Sequence, residues 1–266
     1  MDTKDFFEIA HHHDRPNSKY YIETLFPDFI EISGDRLYGD DPSIIGGIAT
    51  INDIPTTVIG QLRGRDIEER IKYNFSMSKP EGYRKTLRLM KQAEKFERPI
   101  ICFVDTLGAH PGKEAEERGQ GNAIANCLME CMYLKTPIIS ILIGDGGSGG
   151  ALALCVADVI IALEYATLSI ITPKACANIL WNDSSRYIDA AELLKMKAIN
   201  LFELGVIDEI LSEPQDGAQT SPDVMVKTIQ RCLVKTIERY MKIPIKKIMK
   251  QRKNKYNEMG KDFLVT

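Results

Sequence analysis

From residue 44 to residue 211, short apolar runs alternate with stretches of helical spacing. Ile44 to Thr50 and Thr56 to Gln61 predict two strands joined by a short turn at Asn52-Asp53. Pro99 to Asp105 and Pro137 to Ile143 are apolar runs of strand length. Tyr83, Leu87, Met90 and Ala93 recur at helical spacing as far as about Phe96. They follow Ser78-Lys79-Pro80-Glu81, which has capping-box spacing with proline in the first turn. Helices are predicted over 113–134 and 147–157, and short strands near 159–163 and 168–171. Ala190 to Met196 and Leu201 to Leu204 read as helices, and Val206 to Leu211 as a short strand. Residues 1–30 read as helical or irregular, with Tyr20, Tyr21, Leu25, Phe26, Phe29 and Ile30 on one apolar face. The tail beyond Val224 has helical period, and Ser212 to Asp223 is the linker candidate. Strands alternating with helices predict a parallel sheet with crossover connections.

Two strand-to-helix junctions carry the candidate chemistry. Ile143-Gly144-Asp145-Gly146-Gly147-Ser148-Gly149-Gly150 follows one apolar run and leads into an Ala/Leu helix. Glycines there let a backbone come very close to a ligand. The helix N-terminus adds unpaired N–H groups and a positive dipole end, suited to a phosphate or an oxyanion. The second junction is Thr106-Leu107-Gly108-Ala109-His110-Pro111-Gly112, at the end of the preceding strand. Two such turns at the carboxyl ends of successive strands predict one shared crevice.

Composition narrows the choices. A net charge of −3 gives no bulk sign of nucleic-acid binding. The charged N-terminus Met1-Asp2-Thr3-Lys4-Asp5 opens no signal peptide, and Asp158 and Glu164 interrupt the apolar stretch 149–166, so no membrane span is expected. The six cysteines form no Cys-x-x-Cys pair. Cys127 and Cys131 share a helical face without a histidine, and core thiols in a reducing cytosol are expected. His11-His12-His13 reads as a natural polar segment, and the basic stretch Lys242 to Lys255 as a solvated helix face. A hydrolase reading would place Ser148 as nucleophile with His110 and Asp105 or Asp145. A hydratase reading would use Glu114, Glu116 or Glu117. No Gly-Lys-Ser/Thr follows the glycines, against a phosphate-binding loop.

An ordered series of motifs resembles one family. The stretches are Arg15-Pro16, Gly34-Asp35-Arg36, Gly46-Gly47, Pro80 to Lys85, Asp105-Thr106 with Gly108-Ala109, Ala115 to Gln120, the Gly-Gly-Ser-Gly-Gly-Ala turn, Ile179-Leu180-Trp181 and Gly205 to Asp208. Together the chain is similar to the carboxyltransferase alpha subunits of the multi-subunit bacterial acetyl-CoA carboxylase. The resemblance implies an α/β crotonase-like fold (ClpP/crotonase superfamily) of stacked ββα units with helical N- and C-terminal extensions. Expected boundaries are an extension over 1–40, a carboxyltransferase core over 41–214 and a helical segment over 215–266. It implies a cytoplasmic transferase of fatty acid biosynthesis, moving carboxylate from carboxybiotin to acetyl-CoA to give malonyl-CoA.

Partners implied are a carboxyltransferase beta subunit in an alpha2beta2 heterotetramer, a biotin carboxyl carrier protein and biotin carboxylase. The chain itself is expected to bind no cofactor. Carboxybiotin on the carrier is the co-substrate, and zinc belongs to the beta subunit. Gly146, Gly147, Gly108 and Ala109 are the expected catalytic positions, with the first two lining an oxyanion hole. Arg118, Ser148, Gly149 and Gly112 are expected at substrate, Arg118 alternatively pairing with an acid on its own helix. The chain departs from the family's pattern at Ser33, Ser76, Asp145, Lys174 and Gln219, where His, Gly, Glu, Glu and His are usual. A paralogue acting on another acyl-CoA, or a non-catalytic scaffold subunit, is the alternative these departures raise.

Overall fold

The computed structural model describes residues 2–261. The helices are α1 Thr3–Ala10, α2 Ser18–Leu25, α3 Ile67–Lys72, α4 Pro80–Lys95, α5 Lys113–Glu117, α6 Gln120–Tyr133, α7 Ser148–Cys155, α8 Pro173–Trp181, α9 Tyr187–Leu194, α10 Ala198–Glu203, α11 Pro222–Met241 and α12 Ile245–Glu258. The strands are β1 Ile30–Glu31, β2 Ile44–Ile51, β3 Ile54–Gln61, β4 Ile100–Thr106, β5 Ile138–Gly147, β6 Val159–Leu163, β7 Thr167–Ser169 and β8 Glu209–Leu211. All eight join one sheet in the order β1-β2-β3-β4-β5-β6-β8, with β7 beside the end of β5.

The sheet is mixed rather than parallel throughout. β1, β2 and β3 pair antiparallel, because the two-residue connection Asn52-Asp53 can only return the chain as a hairpin. Both turn residues have positive φ (48° and 61°), the geometry whose twist matches the flanking strands. From β3 onward the neighbours are parallel, and β4 and β5 are buried along almost their whole length, as a sheet covered on both faces requires. One core gathers residues from Tyr21 to Ile237. A separate small cluster of Phe6, Ala10 and Tyr165 seats α1.

Several expectations are corrected. The helix expected over 113–134 breaks into α5 and α6 at Gly119, whose φ of 81° is left-handed. The capping box at Ser78 does not form. Lys79 caps α4, its amide donates to Asp41 Oδ2 at 2.7 Å, and Ser78 Oγ accepts from Ser43 Oγ at 2.8 Å. The displaced Glu81 instead binds Arg84 and Arg118. β5 runs four residues beyond Ile143, so the glycines at 144, 146 and 147 belong to the strand. α8 was not foreseen, although Thr172-Pro173 is a cap followed by a first-turn proline, and Thr172 Oγ1 accepts from the Ala175 amide at 3.3 Å. The linker candidate is anchored, since Glu213 is held bidentate by Arg15 and also takes the amides of Tyr165 and Ala218. The tail is two helices separated at Pro244, and the end of the expected segment 215–266 lies outside the described residues.

The Gly34-Asp35-Arg36 motif is structural. Burial pushes the Asp35 carboxyl upward, but the amides of Leu37, Tyr38 and Gly39 and the Arg84 guanidinium outweigh it and hold it at about 2. A depressed folded-state value contributes stability above the unfolded value of about 3.9, and that contribution is lost as pH falls toward 2. Urea melts between pH 5 and pH 2.5 are expected to show a steeper loss of stability for the wild type than for Asp35→Asn, which starts less stable.

Candidate active site

The carboxyl ends of β4 and β5 hold the two predicted turns against each other. A Cβ placed on Gly147 would lie 2.3 Å from the carbonyl carbon and oxygen of Leu107, and one on Gly150 2.6 Å from the carbonyl carbon of Gly108. Only backbone without side chains permits that approach. The Thr106 hydroxyl braces the upstream turn. It lies 2.9 Å from the Gly108 carbonyl and 2.5 Å from the Ser76 carbonyl, and accepts from the Gly108 amide at 3.1 Å. On the other side, Gln61 Nε2 donates to the Gly150 carbonyl at 2.9 Å, tying β3 to the start of α7.

A cavity of 720 Å3 opens beside this contact. Gly146, Gly147 and Ser148 line it, together with Thr106, Leu107 and Asp145. Gly108, Ala109 and Gly149 stand behind this wall. Gly146 is flanked by β4 at Thr106 and by β7 at Leu168, inside the ladder. The amides of Ser148, Gly149 and Gly150 begin α7 and have no carbonyl one turn earlier to receive them. Ser148 has a φ of 49°, a left-handed conformation that costs a non-glycine residue of order 1 kcal/mol.

Arg118 and Gly112 lie away from the cavity. Arg118 donates to Glu81 on α4 at 2.8 Å and stacks over Tyr38 at 4.7 Å, so its partner is not an acid on its own helix. Gly112 starts α5 next to His110 and Glu114. His110 is held by Asn74 at 2.8 Å and by Glu114 at 2.7 Å, and among the described residues no histidine is hydrogen-bonded to Ser148 Oγ, the contact a hydrolase arrangement would need. Glu114, Glu116 and Glu117 do not line the cavity; a different glutamate, Glu8, does. Trp181 carries the Arg186 guanidinium 3.9 Å from its ring and is also outside the cavity.

The sequence reading missed the charged cluster beneath the turn. Arg63, just after β3, donates to Asp145 Oδ2 at 2.7 Å and to Asp105 Oδ1 at 3.3 Å. Nothing in the local sequence separates Arg63 from Arg65 two residues on. Burial raises the Asp105 carboxyl, with Arg63 opposing it. Burial also pushes Asp145 upward, but hydrogen bonds and charge from His11 and Arg63 prevail and hold it well below the usual carboxylate range. Thr167 Oγ1 adds a 2.9 Å bond to Asp145 Oδ1. Five of the six cysteines are buried, and burial pushes the Cys131 thiol up to about 12. Among the described residues, the one close group of three metal-type ligands is His12, His13 and Asp14, all exposed. None of the described helices is long and apolar enough to cross a membrane.

Solved structures of similar shape show the fold. Transcarboxylase 12S, with methylmalonyl-coenzyme A bound, matches with a TM-score of 0.71 at 15% identity, over 90% of this chain and 45% of that one. A Pseudomonas malonate decarboxylase hetero-tetramer matches with a TM-score of 0.69 at 16% identity, over 87% and 90% of the two chains. The fold these structures share with the chain is crotonase-like α/β.

Sequence relationship narrows the class. The profile described as acetyl co-enzyme A carboxylase carboxyltransferase-like matches residues 1–260, and the chain belongs to that family. It is 53% identical to an acetyl-coenzyme A carboxylase carboxyl transferase subunit alpha of Clostridium botulinum, over 95% of this chain and 92% of the relative. A subunit of the same name from Bacillus cytotoxicus is 52% identical over 98% of this chain and 80% of the relative.

The contact between the turns makes a stability prediction. Gly147→Ala places a methyl group against Leu107 backbone and is expected to destabilise the chain by about 2 kcal/mol or more, within the range for overpacking. At Gly149 the nearest atom to a Cβ is 3.5 Å away, so Gly149→Ala should melt within about 1 kcal/mol of wild type, as the smaller helix propensity difference allows. Denaturant melts of the two variants check the contrast.

Proposed function

We propose that the chain acts as the alpha subunit of acetyl-CoA carboxyltransferase through the amides at the start of α7. The observation that carries the mechanism is the side-chain-free turn, with those amides beside the cavity. The enzyme transfers carboxylate from carboxybiotin to acetyl-CoA, giving malonyl-CoA, the first step of fatty acid biosynthesis.

When the N–carboxyl bond of carboxybiotin breaks, carbon dioxide leaves and negative charge appears on the biotin ureido oxygen. The free N–H groups of α7 and its dipole stabilise that charge, and removing one such donor costs about 3 kcal/mol in comparable sites. The biotin nitrogen then takes the methyl proton of acetyl-CoA. The resulting enolate attacks carbon dioxide, forming the new carbon–carbon bond. No side-chain base is required, because the biotin nitrogen itself takes the proton. Gly147 and Ser148 shape the surface nearest the oxyanion, while Gly108 and Ala109 fix the turn behind it. Arg118 and Gly112 act on the fold, not the substrate.

The second oxyanion site, for the enolate, belongs to a partner beta subunit, in an alpha2beta2 assembly that we place in the cytoplasm. Carboxybiotin arrives on a carrier protein after loading by biotin carboxylase. This chain holds no cofactor in the scheme, and the zinc is the beta subunit's.

The test is reconstitution with the beta subunit of the same source. Malonyl-CoA decarboxylation with a free biotin derivative as acceptor is expected to require both subunits. Gly147→Ala should lower kcat about a hundredfold by moving the amides, the scale expected for loss of oxyanion contact. A folded complex without biotin-dependent turnover would overturn the assignment.

A further inference from the structure

Asp145 immediately precedes the glycine turn, and three side chains from separate segments converge on its carboxylate. Arg63 holds Oδ2, while Thr167 and His11 share Oδ1, the latter at 3.1 Å from His11 Nε2. The Asp145 amide in turn donates to Asp105 Oδ1 at 3.1 Å. A carboxylate held ionised only accepts, so His11 Nε2 carries the proton in this contact. His11 closes α1, and α1 sends Lys4, Phe7, Glu8 and His11 to the cavity wall, one face of a single helix. Its opposite face, Phe6 and Ala10, rests on Tyr165 in a cluster separate from the main core. Lys197 adds a contact over the Phe6 ring and a bond to Thr3 Oγ1. All three histidines of the triplet are exposed, His11 with 42% of its side chain accessible, and His11 is the one that reaches Asp145.

We infer that His11 is a positioning residue of the carboxyltransferase site. Through Asp145 it fixes the end of β5, and with it the orientation of Gly146, Gly147 and the first amides of α7. The first helix is thereby a working wall of the cavity, not an appendage before it. α1 is anchored by few apolar contacts of its own, so its docking and the geometry of the turn are coupled through one hydrogen bond. Asp145 is one methylene shorter than the glutamate usual in the family, and it is met from outside by a histidine that reaches inward. The inference rests on the oxyanion reading above for its effect on rate, but not for its effect on the turn.

The test uses the reconstituted complex with H11A and H11Q, glutamine placing a donor near the position of Nε2. H11A is expected to lower kcat about tenfold while KM for malonyl-CoA stays within about twofold, as for a lost positioning contact. H11Q is expected to recover most of that loss. Hydrogen exchange is followed on the same samples and needs no turnover. The peptide spanning residues 145–150 should exchange faster in H11A and at the wild-type rate in H11Q. Unchanged exchange in that peptide, or an H11Q variant as impaired as H11A, overturns the inference. If H11A does not assemble, the near-isosteric T167V removes the other bond to the same oxygen. It must then give faster exchange of the same peptide, and an unchanged rate there is equally decisive against the inference. A wild-type complex without biotin-dependent turnover speaks against the reaction assigned, and leaves the exchange result to judge His11.

Discussion

The constraint on which the site depends is the contact of two backbones. β4 and β5 are neighbouring parallel strands, and the turns that leave them must pass within van der Waals distance at Leu107 and Gly147. No side chain fits there, so the site is defined by what the sequence leaves out. Leaving it out lets α7 begin at the sheet itself, with Ala151 and Ala153 buried behind the glycines and the Gln61 amide holding the Gly150 carbonyl. A helix started so close to a sheet cannot pair its first amides, and those amides are what a developing oxyanion needs. Packing and chemistry are here the same requirement.

Two buried ionic clusters mark the two ends of the sheet. At the amino end, Arg252 of α12 donates to both oxygens of Asp158 and to the carbonyls of Cys131, Leu134 and Thr136. It receives the last carbonyls of α6 as a C-terminal cap and leaves no donor idle, which is how a buried charge is tolerated. At the carboxyl end, Arg63 between Asp105 and Asp145 is one positive charge against two negative ones. Burial raises Asp105, with Arg63 opposing it and the Asp145 charge adding to it, while His11 gives Asp145 a further partner. One cluster is closed and seals a terminal helix to the fold; the other is open on the side of the cavity.

The strand and helix succession was legible because apolar runs and turns repeat along the chain. So were the two junctions, since five glycines within seven residues have little purely structural use elsewhere. The hairpin was visible at Asn52-Asp53, but its antiparallel sense was lost in the general rule for alternating elements. Ser78 misled for a physical reason: its hydroxyl had a better-placed partner in Ser43, and Asp41 supplied the cap from another segment. Arg118 misled similarly, because a cation within a motif gives no sign of the Glu81 that waits one helix away. Neither Arg63 nor His11 could be assigned from spacing, since their shared partner is distant in sequence and close only in the fold.

The departures from the family's pattern leave the meeting of the turns untouched, and three of them, Ser76, Asp145 and Lys174, lie around it. Ser76 has a φ of 59°, a conformation easier for glycine, yet its hydroxyl accepts from the Leu107 amide at 3.3 Å, so strain is offset by a bond to the upstream turn. Lys174 stands on the cavity wall over the Tyr187 ring, where it changes the charge presented to an incoming group without reaching the amides. Asp145 is accommodated by Arg63, Thr167 and His11 together. Ser33 offers its carbonyl to Arg36 and Arg88 at the edge of the fold. A site built from backbone tolerates such change in its frame, because its reactive groups are amides that no substitution removes except proline. What the frame controls is where those amides point, and that depends on residues at the strand ends whose partners come from the whole length of the chain.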